Sequence, residues 1–124
     1  IDGAKKAKYH AAASILSNQV IAVLDMGYSL LEDCGFTRAE AVRATGQLVM
    51  RNIENVLEAG CDGALTGPIE RNDIETVKKH IAGMQNDDSD DVRLYKMLGT
   101  KLVNIAEKKN PDKDYTQMME LLRG

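Results

Sequence analysis

The sequence has few aromatic residues, few prolines and no excess of positive charge, and each shortage excludes a class of protein. Its 124 residues include one Phe, four Tyr and no Trp, which leaves few rings for nucleic-acid bases to stack on. Sixteen Lys and Arg stand against 19 Asp and Glu, for a net charge of −3. The chain therefore has no basic field to hold a phosphate backbone or an anionic lipid surface, and we expect neither a nucleic-acid nor a membrane partner.

The two cysteines, Cys34 and Cys61, are too few for the disulfide framework of a secreted protein. Neither belongs to a Cys-x-x-Cys pair, and with two histidines the chain has no zinc-ligand spacing. No signal peptide is recognisable in the first residues. We therefore expect a cytoplasmic protein with free thiols and no bound metal.

Two prolines and ten glycines leave room for long uninterrupted helices. Hydrophobic residues make up 44% and charged residues 28%, a balance that suits one globular domain. Apolar residues recur at helical spacing in five segments, and no segment of useful length alternates as a strand does. The predicted fold class is all-α, a helical bundle of residues 1–124. Its helices are expected at about 5–33, 37–59, 73–84 and around 95–105, with a last helix that begins at Asn110 and Pro111.

The first predicted helix, Lys5–Asp33, is apolar on almost every face. Such a helix is buried on several sides, so we expect it to pack within its own domain and against a second copy of the chain. Asn18, Gln19 and Asp25 interrupt its apolar stretch, and their cost in a bilayer argues against a membrane span. Gly35 is expected to end this helix in the left-handed conformation.

The later helices have recognisable start signals. Thr37 and Glu40 have the spacing of a capping box at the start of the second helix. The third helix is expected to begin at Asn72 or Asp73, with Glu75 placed for another capping box. The inner stripe of the second helix is expected to contain Val42, Val49, Ile53, Val56 and Leu57.

Two further segments lack the spacing of known ligand loops. Gly60, Gly63 and Gly67 do not form G-x-G-x-x-G, no strand precedes them, and no P-loop occurs, so the chain has no dinucleotide-binding unit of its own. The acidic residues do not follow the EF-hand pattern and are expected to form the solvated start of the fourth helix. They are Asp87, Asp88, Asp90 and Asp91.

One face of the first helix is polar. His10, Ser14 and either Ser17 or Asn18 share this face at helical spacing. Polar groups within an apolar helix need hydrogen-bond partners, or a ligand that supplies them. Two interpretations stay open: a core histidine whose neighbouring serines bond back to helix carbonyls, or a ligand-binding stripe.

A turn-rich segment from Gly60 to Asn72 separates the second and third helices. Loops of about a dozen residues are uncommon inside a compact domain and are often functional. Arg71 and the helix start beside it could offer a guanidinium and free amides to an anion. The alternative is a connector in which Arg71 pairs with Glu70 or Asp73.

Three groups of residues together resemble one protein family. They are Tyr9-His10-Ala11-Ala12-Ala13 with Ser17-Asn18, then Leu65-Thr66-Gly67-Pro68-Ile69-Glu70-Arg71-Asn72-Asp73, then Glu75-Thr76-Val77 with His80. The chain resembles the helical C-terminal domain that follows a Rossmann domain in a family of NAD(P)-binding oxidoreductase-like proteins, relatives of pyrroline-5-carboxylate reductase and 6-phosphogluconate dehydrogenase. The resemblance implies a bundle like the C-terminal domain of 6-phosphogluconate dehydrogenase, a homodimer through the Lys5–Asp33 helix, and a longer chain whose N-terminal Rossmann domain is absent here.

The same resemblance implies roles for particular residues. By position, it assigns proton transfer or substrate positioning to His10 and Asn18, and it makes Ser14, Thr66, Arg71 and His80 candidates for substrate binding. It implies NAD(P) as the cofactor, bound mostly by the Rossmann domain, and a small carbonyl or imine compound as the substrate. This chain alone is then expected to hold no cofactor and to transfer no hydride.

Two positions depart from the related sequences. In related hydroxyacid dehydrogenases a lysine stands four residues before the helix asparagine, and Ser14 occupies that position here, so their mechanism does not carry over. Asn72 stands where the closer family usually has glycine, a mild change because asparagine also tolerates unusual backbone angles. The alternative interpretation is a non-catalytic helical module for self-association or protein binding, whose polar stripe is a satisfied interface.

Overall fold

The computed structural model describes residues 2–85 and 90–124, and every regular element in those ranges is helical. The all-α prediction is therefore confirmed. Contacts divide the chain into two compact units, the first extending to Leu48 and the second comprising Val49–Gly124. In chain order the elements are α1 (Gly3–Ser14), a π-helical turn (Ile15–Gln19), α2 (Val20–Asp33), α3 (Arg38–Ala64), α4 (Ile74–Met84), α5 (Asp90–Lys109) and α6 (Thr116–Arg123).

The first unit is a helical hairpin whose turn the sequence predicts well. α1, the π turn and α2 form one continuous helix, Gly3–Asp33, called the long helix below. Gly35 follows it with φ of 104°, the left-handed conformation that glycine adopts without strain. Thr37 N donates to Glu40 Oε1 at 2.9 Å and Glu40 N donates to Thr37 Oγ1 at 3.1 Å, which confirms the capping box.

Arg38, in the first turn of α3, joins the two arms of this hairpin. Its Nη1 atom lies 3.0 Å from Asp25 Oδ1, and its Nη2 atom lies 2.8 Å from Glu32 Oε1 and 3.1 Å from Ser29 Oγ. The guanidinium carbon also lies 5.7 Å from the centre of the Tyr28 ring. Because all five side chains contribute to one contact, the angle between α2 and the start of α3 is well specified.

The long helix buries none of its own residues. The prediction that it packs within its own domain is wrong, because an apolar helix needs neighbours on several sides and the first unit supplies only the start of α3. Leu16, for example, is 78% exposed. The inner stripe predicted for α3 is also exposed at Val42, Ile53 and Leu57.

By length and composition alone, the long helix could cross a membrane. Gly3–Asp33 has 31 residues, and its most apolar stretch has a mean hydropathy of 1.2. Core helices of soluble proteins and signal sequences meet the same two criteria.

The second unit has a hydrophobic core where α4, α5 and α6 meet the loop that precedes α4. Val77, Val103 and Met118 are its largest fully buried side chains. At Gly99 a Cβ atom would lie 2.8 Å from Leu122 Cδ2, so the absence of a side chain lets α6 approach α5 closely. The buried members of this core are Ile69, Val77, Ile81, Val103, Ala106, Tyr115, Met118 and Leu122.

Two predicted boundaries need correction. α3 is interrupted at Gly60, with φ of 78° and ψ of 171°, but helical structure continues for one more turn to Ala64, so the loop is shorter than predicted. The last helix does not begin at Asn110, because Asn110 N donates to Ala106 O at 2.8 Å and so closes the end of α5. α6 begins only at Thr116, after a turn that contains Pro111.

Asp90 and Asp91 lie in the first turn of α5, as predicted for an acidic helix start. Asp87 and Asp88 lie outside the described residues. Within residues 2–85 and 90–124, no group of three or more His, Cys, Asp or Glu side chains is placed to hold a metal ion. Cys34 and Cys61 are exposed free thiols, as predicted.

Candidate functional site

The π-helical turn changes which residues lie on the polar face of the long helix. In an uninterrupted α-helix, Asn18 would lie about 80° around the axis from His10. A π turn accommodates one additional residue, so a position beyond it would lie only roughly 20° from His10. Asn18 is inside the turn and therefore moves toward the line through His10 and Ser14, whereas Ser17 moves away from it. We call His10, Ser14 and Asn18 the polar stripe.

Hydrogen bonds around the π turn separate the two serines. Ser17 Oγ donates to Ala13 O at 2.6 Å, the back-bonding that one interpretation of the sequence expects. Ser14 Oγ instead donates to Gln19 Oε1 at 3.0 Å, five residues later. His10 is exposed, so within one chain it is not a core histidine. A π turn among polar residues is a frequent feature of functional sites.

The loop before α4, residues 65–73, has a defined backbone. Arg71 N donates to Gly67 O at 3.0 Å, and Asp73 N donates to Pro68 O at 2.8 Å. Gly67 and Asn72 have positive φ angles of 99° and 60°, which fits the tolerance expected of asparagine at that position. The loop is therefore an ordered turn structure whose shape depends on these two residues.

Three residues hydrogen-bond to this loop from the end of α5 and the turn that follows it: Lys109, Asn110 and Tyr115. We call them the loop anchor. Lys109 Nζ donates to Leu65 O at 2.6 Å and lies 3.8 Å from Glu70 Oε1. Tyr115 OH donates to Glu70 O at 2.6 Å, and Asn110 Nδ2 lies 3.3 Å from Glu70 Oε1 and 3.0 Å from Tyr115 OH.

Sequence reasoning missed the loop anchor. Glu70 pairs with Lys109, not with Arg71, so the connector predicted from neighbouring residues is wrong in that detail. The available signal was Tyr115, a tyrosine at an apolar position, because a buried hydroxyl needs a hydrogen-bond partner. Its partner is 45 residues away in sequence, and spacing alone could not identify it.

At the start of α4 the amides of Ile74 and Thr76 are already hydrogen-bonded, so the helix start offers an anion fewer free amides than one of the predictions supposes. Asp73 is the N-cap of α4, and its side chain accepts from Thr76 N at 3.1 Å and from Thr76 Oγ1 at 2.7 Å. Glu75 does not complete a capping box and lies 3.7 Å from Lys78 Nζ. Arg71 is exposed and available to an anion.

Acid should destabilise the chain through its capping carboxylates. The Thr76 hydroxyl and backbone N–H lower the pKa of Asp73 from its ordinary 3.8. Comparable bonds from Thr37 and Thr116 lower the pKa values of Glu40 and Asp114. A carboxyl with a lower pKa in the folded state stabilises fully above its unfolded pKa, and the contribution is lost as pH falls through the folded value.

We therefore expect the melting temperature to decrease when the pH is lowered below about 4. The matched control is Asp73→Asn, because asparagine also caps helices but does not titrate. Its melting temperature should decline less over the same pH range than that of the unmodified chain. Equal declines would show that the Asp73 cap contributes nothing to the acid sensitivity.

His80 lies on α4 and forms a side-chain pair with Tyr95 on α5. His80 Nδ1 lies 2.9 Å from Tyr95 OH, and the rings meet edge to face with centroids 5.9 Å apart. His80 is exposed, whereas Tyr95 is partly buried and packs against the core of the second unit. Burial raises the pKa of the Tyr95 phenol.

The candidate residues thus fall into two groups, one in each unit. The polar stripe lies in the first unit, while Thr66 and Arg71 lie exposed on the loop of the second unit and His80 lies on the helix after it. A groove of about 610 Å³ beside α6 is lined by other residues, among them Tyr115, Met119 and Arg123. A smaller cavity of about 170 Å³, which includes Cys61, likewise contains none of the candidates.

Comparison with known proteins gives one match. Residues 1–102, which include both groups of candidates but not the loop anchor, match a family described as a domain of unknown function, DUF2520. No curated protein and no solved structure matches the chain. The match extends over most of the sequence, and the chain therefore belongs to the DUF2520 family.

Proposed function

We propose that this chain is the substrate-binding and dimerisation domain of an NAD(P)-dependent oxidoreductase that acts on a small carbonyl or imine compound. One observation supports the proposal most directly. On a helix that has a long apolar stretch and no buried residue, a π turn moves His10, Ser14 and Asn18 toward one line of polar side chains. A helix that served only to pack against a partner would gain nothing from such a line, because each polar group costs free energy when it is covered.

The polar stripe has the groups that carbonyl or imine reduction requires. Histidine is the side chain best suited to exchange a proton near neutral pH, so His10 is the proposed general acid and base. The Asn18 amide can both donate to a substrate oxygen and accept from a substrate N–H. The Ser14 hydroxyl is a further donor and acceptor on the same face.

The chain's own residues do not suit the pyrophosphate of a dinucleotide, since the sequence lacks the glycine-rich turn that such a group needs. In this proposal NAD(P) is held mostly by an N-terminal Rossmann domain in the same polypeptide. The bound nicotinamide supplies or accepts the hydride at the substrate carbon. His10 supplies the proton to the substrate oxygen or nitrogen, and Asn18 orients that atom.

The second unit contributes polar groups of a different kind. Arg71 is an exposed guanidinium on a loop whose backbone is fixed, and Thr66 is an exposed hydroxyl on the same loop. His80 adds an exposed imidazole on α4. We propose that these three side chains bind polar or anionic groups of a substrate.

Dimerisation is the other half of the proposal. The long helix leaves Tyr9, Ile15, Leu16 and Ile21 at least 56% exposed, and a soluble chain rarely leaves so much apolar surface on one helix uncovered. A second copy of the same helix would cover it in a symmetric interface. The proposed location is the cytoplasm.

The same exposed surface also favours a second candidate function. The chain would then be a non-catalytic module for self-association or protein binding, and Ser14 would stand in place of a catalytic lysine because no chemistry occurs. This candidate predicts a stable dimer without hydride transfer.

The test uses the protein that carries this chain together with its cofactor domain. It is mixed with NADH or NADPH and a panel of aldehydes, 2-oxo acids and cyclic imines, and nicotinamide absorbance is followed. We expect oxidation of the cofactor with at least one compound class. A protein that binds the cofactor and dimerises but oxidises it with none of the panel would support the non-catalytic module instead.

A further inference from the structure

We propose that Tyr95 is a positioning residue that holds the proton of neutral His80 on Nε2, so that α4 presents an N–H donor to a substrate carbonyl or carboxylate oxygen. The substrate part of this inference rests on the proposed function. The tautomer of His80 does not, and it can be measured without any substrate.

Geometry defines the pair. The hydroxyl oxygen of Tyr95 lies 2.9 Å from His80 Nδ1, a normal hydrogen-bond distance. The two rings are nearly perpendicular, at 83°, which is a favourable edge-to-face arrangement. The phenol is therefore held at one particular nitrogen of the imidazole.

Packing fixes the phenol more firmly than the imidazole. Tyr95 is packed against the core of the second unit, whereas the His80 side chain is exposed. An exposed imidazole without such a neighbour can rotate and exchange tautomers freely. Among the described residues, the Tyr95 hydroxyl is the only group that forms a hydrogen bond with the His80 ring. It alone can therefore select the orientation of that ring.

The direction of the hydrogen bond follows from the chemistry of the two groups. A phenol is a good donor, and the unprotonated nitrogen of a neutral imidazole is a strong acceptor. Because burial raises the pKa of Tyr95, the phenol keeps its proton throughout the physiological range. Donation to Nδ1 leaves the imidazole proton on Nε2, the nitrogen that is turned away from Tyr95.

The consequence is a donor of defined direction on an otherwise mobile side chain. The loop before α4 carries the exposed guanidinium of Arg71, and His80 lies along the following helix. A substrate with a carboxylate and a second oxygen would find a cationic group and a neutral N–H donor on the same unit. Because Tyr95 keeps Nε2 of His80 as a donor, a substrate that presents an acceptor oxygen to it binds better than one that presents an N–H or O–H donor.

The direct test is nitrogen NMR of the chain labelled with ¹⁵N-histidine. The chain has two histidines, and exposed His10 serves as the internal reference for an unconstrained ring. In the unmodified chain at about pH 8.5, where an ordinary imidazole is neutral, we expect His80 to show unprotonated Nδ1 and protonated Nε2. In Tyr95→Phe, which keeps the ring and removes the hydroxyl, both His80 signals should move toward the tautomer-averaged positions of His10.

Tyr9→Phe is the matched control, because it removes a phenol hydroxyl next to His10 in sequence. The ring-nitrogen signals of both histidines should stay unchanged in this variant. The amide spectrum of each variant verifies that it is folded. A proton on Nδ1 of His80 in the unmodified chain, or unchanged ring signals in Tyr95→Phe, would overturn the positioning role.

A kinetic arm tests the substrate role separately. With any substrate that the oxidoreductase assay identifies, His80→Ala should raise KM about fivefold, the loss of one neutral hydrogen bond, with kcat nearly unchanged. Tyr95→Phe should raise KM by about twofold, because only part of the imidazole population then has the correct tautomer. An unchanged KM in His80→Ala would refute the substrate contact but leave the tautomer result in place. Failure of the proposed function would appear instead as no turnover with any compound.

Discussion

Replacement of His10 by alanine is expected to lower kcat for hydride transfer by about 10² to 10⁴-fold while leaving the dimer intact. The reason is that the imidazole is the proposed proton donor, and water transfers a proton to the substrate far less efficiently. Alanine is a good helix former and His10 is exposed, so the long helix should remain folded. Steady-state kinetics and light scattering on the full protein measure the two quantities.

Two further variants make this experiment specific to the polar stripe. Because the π turn moves Asn18 toward the line of His10, Asn18→Ala should also lower kcat. Ser17→Ala is the matched control, since the same turn moves Ser17 away and its hydroxyl is occupied by Ala13 O. Equal activity in His10→Ala and unmodified protein, or a larger loss in Ser17→Ala than in Asn18→Ala, would contradict the proposed roles.

Replacement of Leu16 by glutamate should convert the dimer into monomers at tens of micromolar protein. Leu16 is 78% exposed in one chain and lies near the middle of the long helix. In a symmetric interface each substitution acts twice, and burial of each leucine contributes about 1.5–3 kcal/mol. Loss of both therefore raises the dissociation constant by about a hundredfold or more, before the cost of covering two carboxylates is added.

The control for this variant is Leu57→Glu. Leu57 is 80% exposed and lies on α3, outside the proposed interface, so this variant should remain dimeric. Both variants replace an exposed leucine by the same residue, and circular dichroism should show the same helix content in both. A Leu16→Glu protein that still scatters light as a dimer would exclude the long helix as the main contact.

Local features of the fold could be predicted because the forces that form them act over a few residues. The Thr37–Glu40 capping box and the Asp73 cap satisfy amide groups three positions away, and Gly35 satisfies a steric requirement of its own backbone. Apolar periodicity identified the helices themselves for the same reason. These parts of the prediction are confirmed.

Other features could not be predicted because they depend on distant or absent groups. Apolar periodicity showed that the long helix needs a covering surface, but not that the first unit leaves it bare. The π turn gives no readable signal in this sequence, because a helix that is apolar on almost every face does not show the change of phase that one additional residue produces. The loop anchor joins Tyr115 to Glu70 across 45 positions, a distance at which sequence spacing has no meaning.

The loop anchor also determines when the second unit can reach its final form. Leu65 and Glu70 receive their hydrogen bonds from Lys109 and Tyr115, which are synthesised 44 and 45 residues later. Contacts of such long sequence separation form late in folding, because a long loop of chain must first be closed. The segment that carries Thr66 and Arg71 therefore leaves the ribosome before its supports exist. Its conformation is completed only after α5 and the following turn have been made, so the candidate substrate groups are among the last parts of the unit to become ordered.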